Sequence, residues 1–317
     1  MATSRIVFLG VALLLVASGS AQLSENFYAK TCPGGVQAVA NVVTAAVRAD
    51  RRNAAGLLKL HFHDCFVRGS DASVLLASTP GSKAEKDAAP NLSLHGFGII
   101  DQAKAALEKA CPGVFSCADI LSLAARDAIS FIGGPKWKVP LGRRDGSVSL
   151  ASEALSNLPG DTSTFQQLVS TFAKNGLNEA DMVVLSGAHT IGLTHCVKVT
   201  PRLYPSAEKT LNSTFVAAQR KLCPNTGSAA NNFINIDNTN GGQTFDVNYF
   251  KNILNHQAVF KSDSALISTS SGRSKVVTLA NSQSIFFSAF GAAMENMGRV
   301  GVLTGSQGKI RTQCSRR

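Results

Sequence analysis

The sequence predicts a mainly α fold. Apolar residues recur at three- and four-residue steps through most of the chain, stretches of alternating polarity are scarce, and Gly and Pro pairs separate the helical segments. With 317 residues and 44% hydrophobic composition, the chain can bury a sizeable core, either as one large domain or as two lobes that share a cleft.

The helical pattern is clear in residues 36–48, where valines from Val36 to Val47 fall on one face. The same spacing predicts helices at 54–66, 99–110, 116–129, 164–174, 180–185, 211–222, 248–257 and 275–297. Asp119, Asp181 and Asp246 stand near predicted helix starts, where the helix dipole favours a carboxylate. Residues 137–141 are the best candidate strand, and 133–159 are predicted to be a loop-rich connection between an N-terminal and a C-terminal lobe.

The N-terminus has the features of a secretory signal peptide. Arg5 precedes an apolar run from Ile6 to Ala17, and small residues follow up to Ala21. We expect cleavage after Ala21, which leaves 22–317 as the mature domain. The run is too short for a comfortable membrane span, and no later segment reaches 18 apolar residues, so we expect no membrane attachment after cleavage.

The formal net charge of +11 is scattered, and the longest basic runs are pairs such as Arg51-Arg52. No stripe of Lys and Arg interleaved with aromatic residues is present, which argues against nucleic acid as a partner. A basic surface attracted to acidic polymers, such as a carboxylate-rich wall matrix, fits better. The alternative is that the charge only keeps the protein soluble.

Seven cysteines are present and none forms a CxxC pair, so the spacing does not suit a zinc site. In a secreted chain they indicate a disulfide framework. Because seven is odd, at least one thiol has no partner within the chain.

Residues 56–66 are apolar but contain a cation and two histidines. Lys59 and His63 are four residues apart and share a helical face, whereas His61 points elsewhere. A lone histidine in such a helix is usually a hydrogen-bonded core residue, but a second polar group on the same face favours a site. Asp64, Asp71 and the intervening carbonyls offer the hard oxygen ligands that calcium prefers, although a solvated acidic loop would have the same composition.

Two long segments carry a family resemblance. His61-Phe62-His63-Asp64-Cys65-Phe66-Val67, followed by Asp71 to Leu76, resembles the distal haem signature of the secretory plant (class III) peroxidases, and Leu185-Ser186-Gly187-Ala188-His189-Thr190-Ile191-Gly192 resembles their proximal signature. The resemblance extends over the whole mature chain, including the segments 85–88, 111–121, 142–145 and 311–314. It implies a two-lobed helical haem peroxidase fold with one haem b between the lobes.

The resemblance also implies residue roles. His189 would be the proximal haem ligand and Asp263 the carboxylate that accepts its other ring N–H. His63 would be the distal base toward hydrogen peroxide, with Asn91 orienting it. Phe62 would pack over the haem edge, and Pro159 would contact the small phenolic donor through its carbonyl.

Two calcium sites and three disulfides follow from the same resemblance. The implied distal calcium ligands are Asp64, Val67, Gly69, Asp71 and Ser73, with Glu85 acting through water. The proximal ligands would be Thr190, Asp237, Thr239 and Asp246. The implied disulfides are Cys32–Cys111, Cys117–Cys314 and Cys196–Cys223.

The chain departs from the family pattern at four places. Lys59 stands where the family has Arg, and Ser70 replaces the usual partner of Cys65, which predicts a free Cys65 thiol. One residue is missing between Asn91 and His95, and His95 replaces an Arg. The loop 240–244 is one residue longer than in the family, so the calcium ligand expected there is either Thr239 or absent.

The leading hypothesis is therefore an active, secreted, monomeric peroxidase of the cell wall or apoplast, glycosylated at Asn212. Two alternatives remain. One is a peroxidase-fold protein that binds haem or small aromatics with little turnover, which the changes at Lys59 and Ser70 favour. The other is a purely structural wall protein held by its basic charge, which would leave His63, Asn91, His189 and Asp263 unexplained.

Overall fold

The computed structural model describes residues 23–237 and 239–317, so the predicted signal peptide lies outside the described residues. The mainly α prediction is confirmed. The described residues form thirteen α-helices: α1 Gly35–Ala49, α2 Arg52–Val67, α3 Phe97–Ala110, α4 Cys117–Phe131, α5 Ala151–Asn157, α6 Phe165–Lys174, α7 Glu179–Ser186, α8 Thr200–Leu203, α9 Ser213–Leu222, α10 Asn248–Leu254, α11 Lys261–Ala265, α12 Ser270–Asn281 and α13 Gln283–Met297.

Local sequence explains where several helices begin. Ser116 caps α4 by accepting the backbone N–H of Asp119 at 3.1 Å. Reciprocal capping boxes start α6 at Thr164 and α7 at Asn178. These caps satisfy backbone N–H groups that the first helical turn cannot pair.

The helices pack in two groups. In the first, α1 to α4 pack on one another, and α1 contributes the buried stripe Val39, Val43 and Val47. In the second, α7 packs against α6, α12 and α13, and α10 packs against α12. One apolar core runs through both groups because its buried residues extend from Tyr28 to Cys314.

A smaller apolar core lies under the segment between α7 and α10. The strands β1 (Leu193–His195) and β2 (Phe233–Asn235) pair there in antiparallel register, with Leu193 opposite Asn235. Helices α8 and α9 pack beside them, and the disulfide Cys196–Cys223 lies within this core. The structure also contains the disulfides Cys32–Cys111 and Cys117–Cys314, as the sequence resemblance implied.

Two details of the element prediction are wrong. The single helix expected at 275–297 is two helices, because Ser282 adopts extended backbone (φ −148°, ψ 110°) and its side chain caps α13. Residues 137–141 form no strand and contribute only an isolated bridge between Leu141 and Ser24. The segment 133–159 is rich in loop, as expected, and contains one short helix, α5.

A buried ion pair connects the start of α4 to the residue after α13. Arg143 donates to Asp119 at 2.8 Å and to the carbonyl of Gly298 at 2.9 Å, and both charged side chains are at most 1% exposed. Tyr28 donates to the other Asp119 oxygen at 2.7 Å. The two charges are therefore fully hydrogen-bonded within the core.

No single helix within the described ranges is long and apolar enough to cross a membrane. The helices α12 and α13 meet that test only as a pair, which bends by 118° between them.

Candidate active site

Helix α2 presents His63 to the protein interior, where its side chain is 6% exposed. Its Nδ1 lies 2.6 Å from Asn91 Oδ1, and Asn91 donates through Nδ2 to the carbonyl of Glu85 at 2.8 Å. Because the Asn91 amide points its N–H toward that carbonyl, Oδ1 is the end that faces the ring, and Nδ1 must carry the ring proton. The Nε2 lone pair of His63 is therefore free to accept a proton.

Burial lowers the pKa of His63 to about 3, with a further contribution from the positive charge of Lys59 that outweighs the Asn91 hydrogen bond. The ring is thus neutral at neutral pH. A neutral ring with its lone pair on Nε2 is the state that a general base requires.

Lys59 lies one helical turn before His63 and is half-buried. Its Nζ donates to Ser93 Oγ at 2.7 Å. Burial lowers the pKa of Lys59, and the positive charge of Lys198 lowers it further. Ser93 was not predicted from the sequence, because nothing in its local pattern indicates that a lysine 34 positions earlier reaches it.

The other polar groups of α2 form a separate buried cluster. His61 lies 3.6 Å from Cys65 Sγ through its Nδ1, and burial lowers the pKa of His61 to about 3. Cys65 is a free cysteine, as expected, and its Sγ lies 2.6 Å from Ser70 Oγ. Burial raises the pKa of the Cys65 thiol, so it is protonated and unreactive at neutral pH.

Phe62 precedes His63 on α2, and the two rings are neighbours. Its ring centroid lies 5.6 Å from that of His63, edge-on, and 4.3 Å from that of Phe66. Pro159 lies in the loop after α5 and is half-buried. The contacts of the His63 group do not involve Pro159, so its predicted role in donor binding stays a prediction.

The second histidine of the site, His189, follows α7 in the 3-10 turn Gly187–Thr190. Its Nδ1 lies 2.9 Å from Asp263 Oδ1, and Tyr249 donates to the same oxygen at 2.8 Å. Tyr249 on α10 was missed at the sequence level, because a tyrosine at a helix start carries no motif. Burial raises the pKa of Tyr249, and the neighbouring Asp263 charge raises it further, so Tyr249 remains a proton donor.

His189 can hold a metal-centred cofactor. Its Nδ1 is engaged by Asp263, while Nε2 has no partner within residues 23–237 and 239–317, and the side chain remains 40% exposed although it lies beside Tyr249 and Phe260. A histidine whose far nitrogen bonds a carboxylate is the usual arrangement of a metal-ligating imidazole. The residues therefore fit a haem ligand.

The loop after α2 gathers the predicted distal calcium residues. Asp64 accepts the backbone N–H groups of Ala72 and Val74, and Asp71 accepts that of Ser73. The Ser73 hydroxyl and both carboxylate oxygens of Glu85 are buried without a hydrogen-bond partner in the described protein. Burial raises the pKa of Asp64 and of Asp71, and it raises the pKa of Glu85 to about 7.

Two backbone features shape this loop. Gly69 has a φ of +94°, and a Cβ there would lie 2.5 Å from the backbone of Gly301, so only glycine fits. Its carbonyl accepts the N–H of Asp71 at 2.7 Å, whereas Val67 ends α2. The unpartnered oxygens of Ser73 and Glu85 lie beside the carboxylates of Asp64 and Asp71, and a bound cation would satisfy all of these groups. The distal residues therefore fit calcium.

The predicted proximal calcium residues are also brought together. The Thr190 hydroxyl lies 3.4 Å from Asp237 Oδ2 and 3.3 Å from Asp246 Oδ1. Here, however, amide groups already bond the carboxylates, with Asn252 Nδ2 on Asp237 at 2.9 Å and Asn248 Nδ2 on Asp246 at 2.9 Å. Thr239 donates its backbone N–H to Asp237 at 2.8 Å.

Across residues 23–237 and 239–317, no group of three or more His, Cys, Asp and Glu side chains has the arrangement of a metal site. The two predicted calcium sets also draw on hydroxyl and carbonyl oxygens.

The fold and the site together define a helical protein with a neutral, amide-oriented histidine in one helix group and a carboxylate-paired histidine in the other. Comparison with known proteins identifies the family of the chain. A family model described as Peroxidase matches residues 39–282.

The chain is 46% identical to Peroxidase 3 of Arabidopsis thaliana over 308 residues, which cover 95% of this chain and 94% of that protein. It is 45% identical to Peroxidase 4 of Vitis vinifera, with 98% and 97% covered, and 43% identical to a lignin-forming anionic peroxidase of Nicotiana sylvestris, with 98% and 96% covered. The chain belongs to the plant peroxidase family, and the enzyme class is that of the peroxidases.

Proposed function

We propose that this protein is a secreted haem peroxidase that reduces hydrogen peroxide while it oxidises small phenolic donors. The observation that carries the proposal is the pair of oriented histidines, His63 held by Asn91 and His189 held by Asp263. A haem b bound through His189 would supply the redox-active iron that accepts electrons from the donor and delivers them to peroxide.

His63 acts toward peroxide first as a general base and then as a general acid. Its free Nε2 takes a proton from the attacking peroxide oxygen and returns it to the leaving oxygen, so that water departs instead of hydroxide. The Glu85 carbonyl, the Asn91 amide and the His63 ring form one hydrogen-bonded chain that fixes this tautomer. The loop that contains Glu85 therefore supports the orientation of the base.

Lys59 supplies the positive charge on the same face. Cleavage of the peroxide bond develops negative charge on the departing oxygen, and a fixed cation nearby stabilises it. The Lys59 ammonium donates to Ser93 instead of facing the pocket freely. It serves this role less well than a forked guanidinium, because one donor is already engaged.

Asp263 orients His189, the histidine of the other helix group. It accepts the Nδ1 proton of His189, which leaves the Nε2 lone pair to hold a haem iron and would give the imidazole anionic character. Tyr249 shares the same carboxylate oxygen and limits how much negative charge reaches the ring.

One calcium at the distal residues, and a second at the proximal residues, would neutralise the buried carboxylates. The secretory route is supported by the signal-peptide pattern and by three disulfides. Outside the cell, in the wall or apoplast, the protein would act as a monomer, and its net positive charge would give it affinity for acidic wall polymers.

The haem assignment is tested with His189→Ala. The variant is expected to lose stable haem binding, while His256→Ala, a histidine outside the site, retains haem with an unchanged absorption spectrum. Haem bound with the same spectrum in His189→Ala would refute the ligand assignment.

A second candidate function is a peroxidase-fold protein that binds haem or small aromatics with little turnover. The Lys59–Ser93 contact is the observation that favours it. Mixing haem-loaded protein with peroxide and a phenol separates the two functions, because only the first predicts sustained oxidation of the phenol.

A further inference from the structure

A cavity of about 280 Å³ opens beside the extended segment that follows α4, away from the histidine pair. Its lining includes Trp137, the one tryptophan in the sequence, together with the cations Arg126, Lys136 and Lys138. The volume is close to the lower end of small-molecule sites, which occupy roughly 300–1,000 Å³.

Two of the three cations that line the cavity form salt bridges, and the third can bind an anionic ligand. Arg126 pairs with Asp127 at 2.7 Å, and Lys138 pairs with Glu25 at 3.4 Å. Lys136 is exposed and has no carboxylate partner within residues 23–237 and 239–317. Three cations against two carboxylates leave a net positive lining.

Trp137 gives the cavity an aromatic wall. The residue is 8% exposed, and its indole N–H has no acceptor among the described residues and keeps contact with solvent, so it is available to donate to a ligand. An aromatic face, a free N–H donor and an unpaired ammonium are complementary to an aromatic ring that bears a carboxylate.

Trp137 is also connected to the histidine site by a chain of aromatic rings. Its ring centroid lies 6.0 Å from that of Phe290, which lies 5.6 Å from Phe286. Phe286 lies 5.1 Å from Phe250, and Phe250 lies 5.1 Å from Tyr249, the residue that bonds Asp263. Each distance falls within the range of rings in contact.

We propose that this cavity is a second donor site, which binds a phenolic carboxylate and passes its electrons through Trp137 and the ring chain to the His189 side of the site. Tryptophan and tyrosine are the readily oxidised aromatic side chains, and the phenylalanines between them act only as contact. The electron-transfer part rests on the proposed haem peroxidase function, whereas the binding part does not.

Reduction of one hydrogen peroxide to two waters takes two electrons and two protons. Tyr249 loses one electron and shifts its phenolic proton along its hydrogen bond to Asp263, and it regains both when Trp137 supplies an electron. The oxidised indole then takes one electron from the bound phenol, which releases its phenolic proton to water, and two donor molecules are oxidised per peroxide.

The binding part is tested on holoenzyme labelled with ¹⁵N at tryptophan, which has a single indole signal because the chain has one tryptophan. Titration with 4-hydroxybenzoate is expected to shift this signal to saturation, and phenol, which lacks the carboxylate, binds about tenfold more weakly. Lys136→Gln weakens 4-hydroxybenzoate by a similar factor, and Lys109→Gln, an exposed lysine outside the cavity, leaves it unchanged. An indole signal that does not respond, or responds equally to both ligands, overturns the site.

The relay is tested by adding peroxide and a nitroso spin trap without donor, followed by peptide mapping. The trap is expected on Trp137, and Phe290→Leu lowers that yield several-fold while the indole signal still responds to 4-hydroxybenzoate. Phe287→Leu is the matched control, because Phe287 contacts Phe286 at 5.9 Å but lies outside the chain of rings. Equal yields in the two variants, or no adduct on Trp137, overturn the relay. Haem content and phenol oxidation are measured on the same samples, so a failure of the proposed function is seen separately.

Discussion

At the scale of single residues, Lys59 is the pocket side chain that departs from the family pattern. Its ammonium is tied to Ser93 and its pKa is lowered by burial and by Lys198. Burial favours the neutral amine, so Lys59 loses its charge at a lower pH than an exposed lysine does. A role in stabilising negative charge therefore requires that the enzyme weaken as pH rises.

Lys59→Arg is expected to speed the reaction with peroxide by roughly ten- to a hundredfold, because a guanidinium is a fixed and permanently charged donor. The decline at higher pH should also disappear in this variant. Stopped-flow mixing of haem-loaded protein with peroxide across pH measures both effects. Lys198→Gln is the control. It removes the neighbouring charge that lowers the pKa of Lys59, so the loss of rate should begin at a higher pH than in the unsubstituted protein. An unchanged rate in Lys59→Arg would mean that position 59 does not act on peroxide.

Two asparagines, Asn91 and Asn212, begin the Asn-X-Ser/Thr motif of N-glycosylation, and the structure predicts that only Asn212 carries sugar. Asn212 is half-buried at the start of α9, and only its Oδ1 is engaged, by the N–H of Phe215 at 3.1 Å. Asn91 is 1% exposed, and both ends of its amide are bonded. We expect glycopeptide mapping of the secreted protein to find sugar on Asn212 and none on Asn91. Sugar on Asn91 would require that its amide be released from Glu85 and His63.

The site shows how far sequence reasoning reaches. His63, Asn91, His189 and Asp263 were predicted from motifs, and the structure places the members of each pair in hydrogen-bond contact. Ser93 and Tyr249 could not be predicted, because their roles depend on tertiary contacts with Lys59 and Asp263 across long stretches of chain. At the level of elements, periodicity found the long helices but missed the break at Ser282, where a capping serine interrupts a continuous apolar pattern.

At the scale of elements, the segment from Cys65 to Ser73, which covers the end of α2 and the loop after it, has no disulfide at its free cysteine Cys65. It lies among the buried carboxylates of Asp64, Asp71 and Glu85, and the charge of Asp71 raises the pKa of Asp64 and of Glu85 beyond the effect of burial. Calcium would relieve this repulsion and satisfy the orphaned oxygens of Glu85. The proximal residues need calcium less, since Asn248 and Asn252 already donate to Asp246 and Asp237.

Ser70→Cys is expected to form a disulfide with Cys65, because the two side-chain tips are already 2.6 Å apart. So short a loop closure contributes roughly 2 kcal/mol by the entropy formula, which corresponds to a melting-temperature rise of a few degrees. The gain should be larger in chelator, where calcium no longer orders the loop. Thermal unfolding with calcium and with chelator measures both values, and Ser70→Ala separates the crosslink from loss of the hydroxyl. Equal melting temperatures for the oxidised and reduced variant would count against this role of the loop.

Chelator alone should affect the two predicted calcium sites unequally. The distal oxygens of Glu85 and Ser73 have no protein partner, whereas a cation at the proximal residues must displace amide donors. We therefore expect the first calcium removed by a weak chelator to come from the proximal residues, with little loss of stability. Metal analysis alongside thermal unfolding follows the order of release. An early, large drop in melting temperature would place the weakly held ion at the distal residues instead.

At the scale of the whole molecule, the two helix groups are joined at their centre by a charged network rather than by apolar contact alone. Arg143 connects Asp119 at the start of α4 to the carbonyl of Gly298 after α13, and Tyr28 brings the N-terminal segment to the same carboxylate. Burial raises the pKa of Tyr28, and the Asp119 charge raises it further, so the phenol stays protonated and keeps donating.

Removal of one partner from such a network leaves the other charge buried and underpaired. Arg143→Met keeps the volume of the stem but leaves Asp119 with only Tyr28 and backbone N–H groups, so we expect a loss of about 3–5 kcal/mol in the free energy of unfolding. Arg299→Met is the matched control, because its pair with Glu295 is exposed and should contribute about 0–1 kcal/mol. Urea unfolding with calcium present and the disulfides intact measures both. Since Asp119 and Gly298 belong to different parts of the fold, the Arg143 loss should appear in one cooperative transition that also releases haem. Two separated transitions would mean that the helix groups unfold independently and that this network does not couple them.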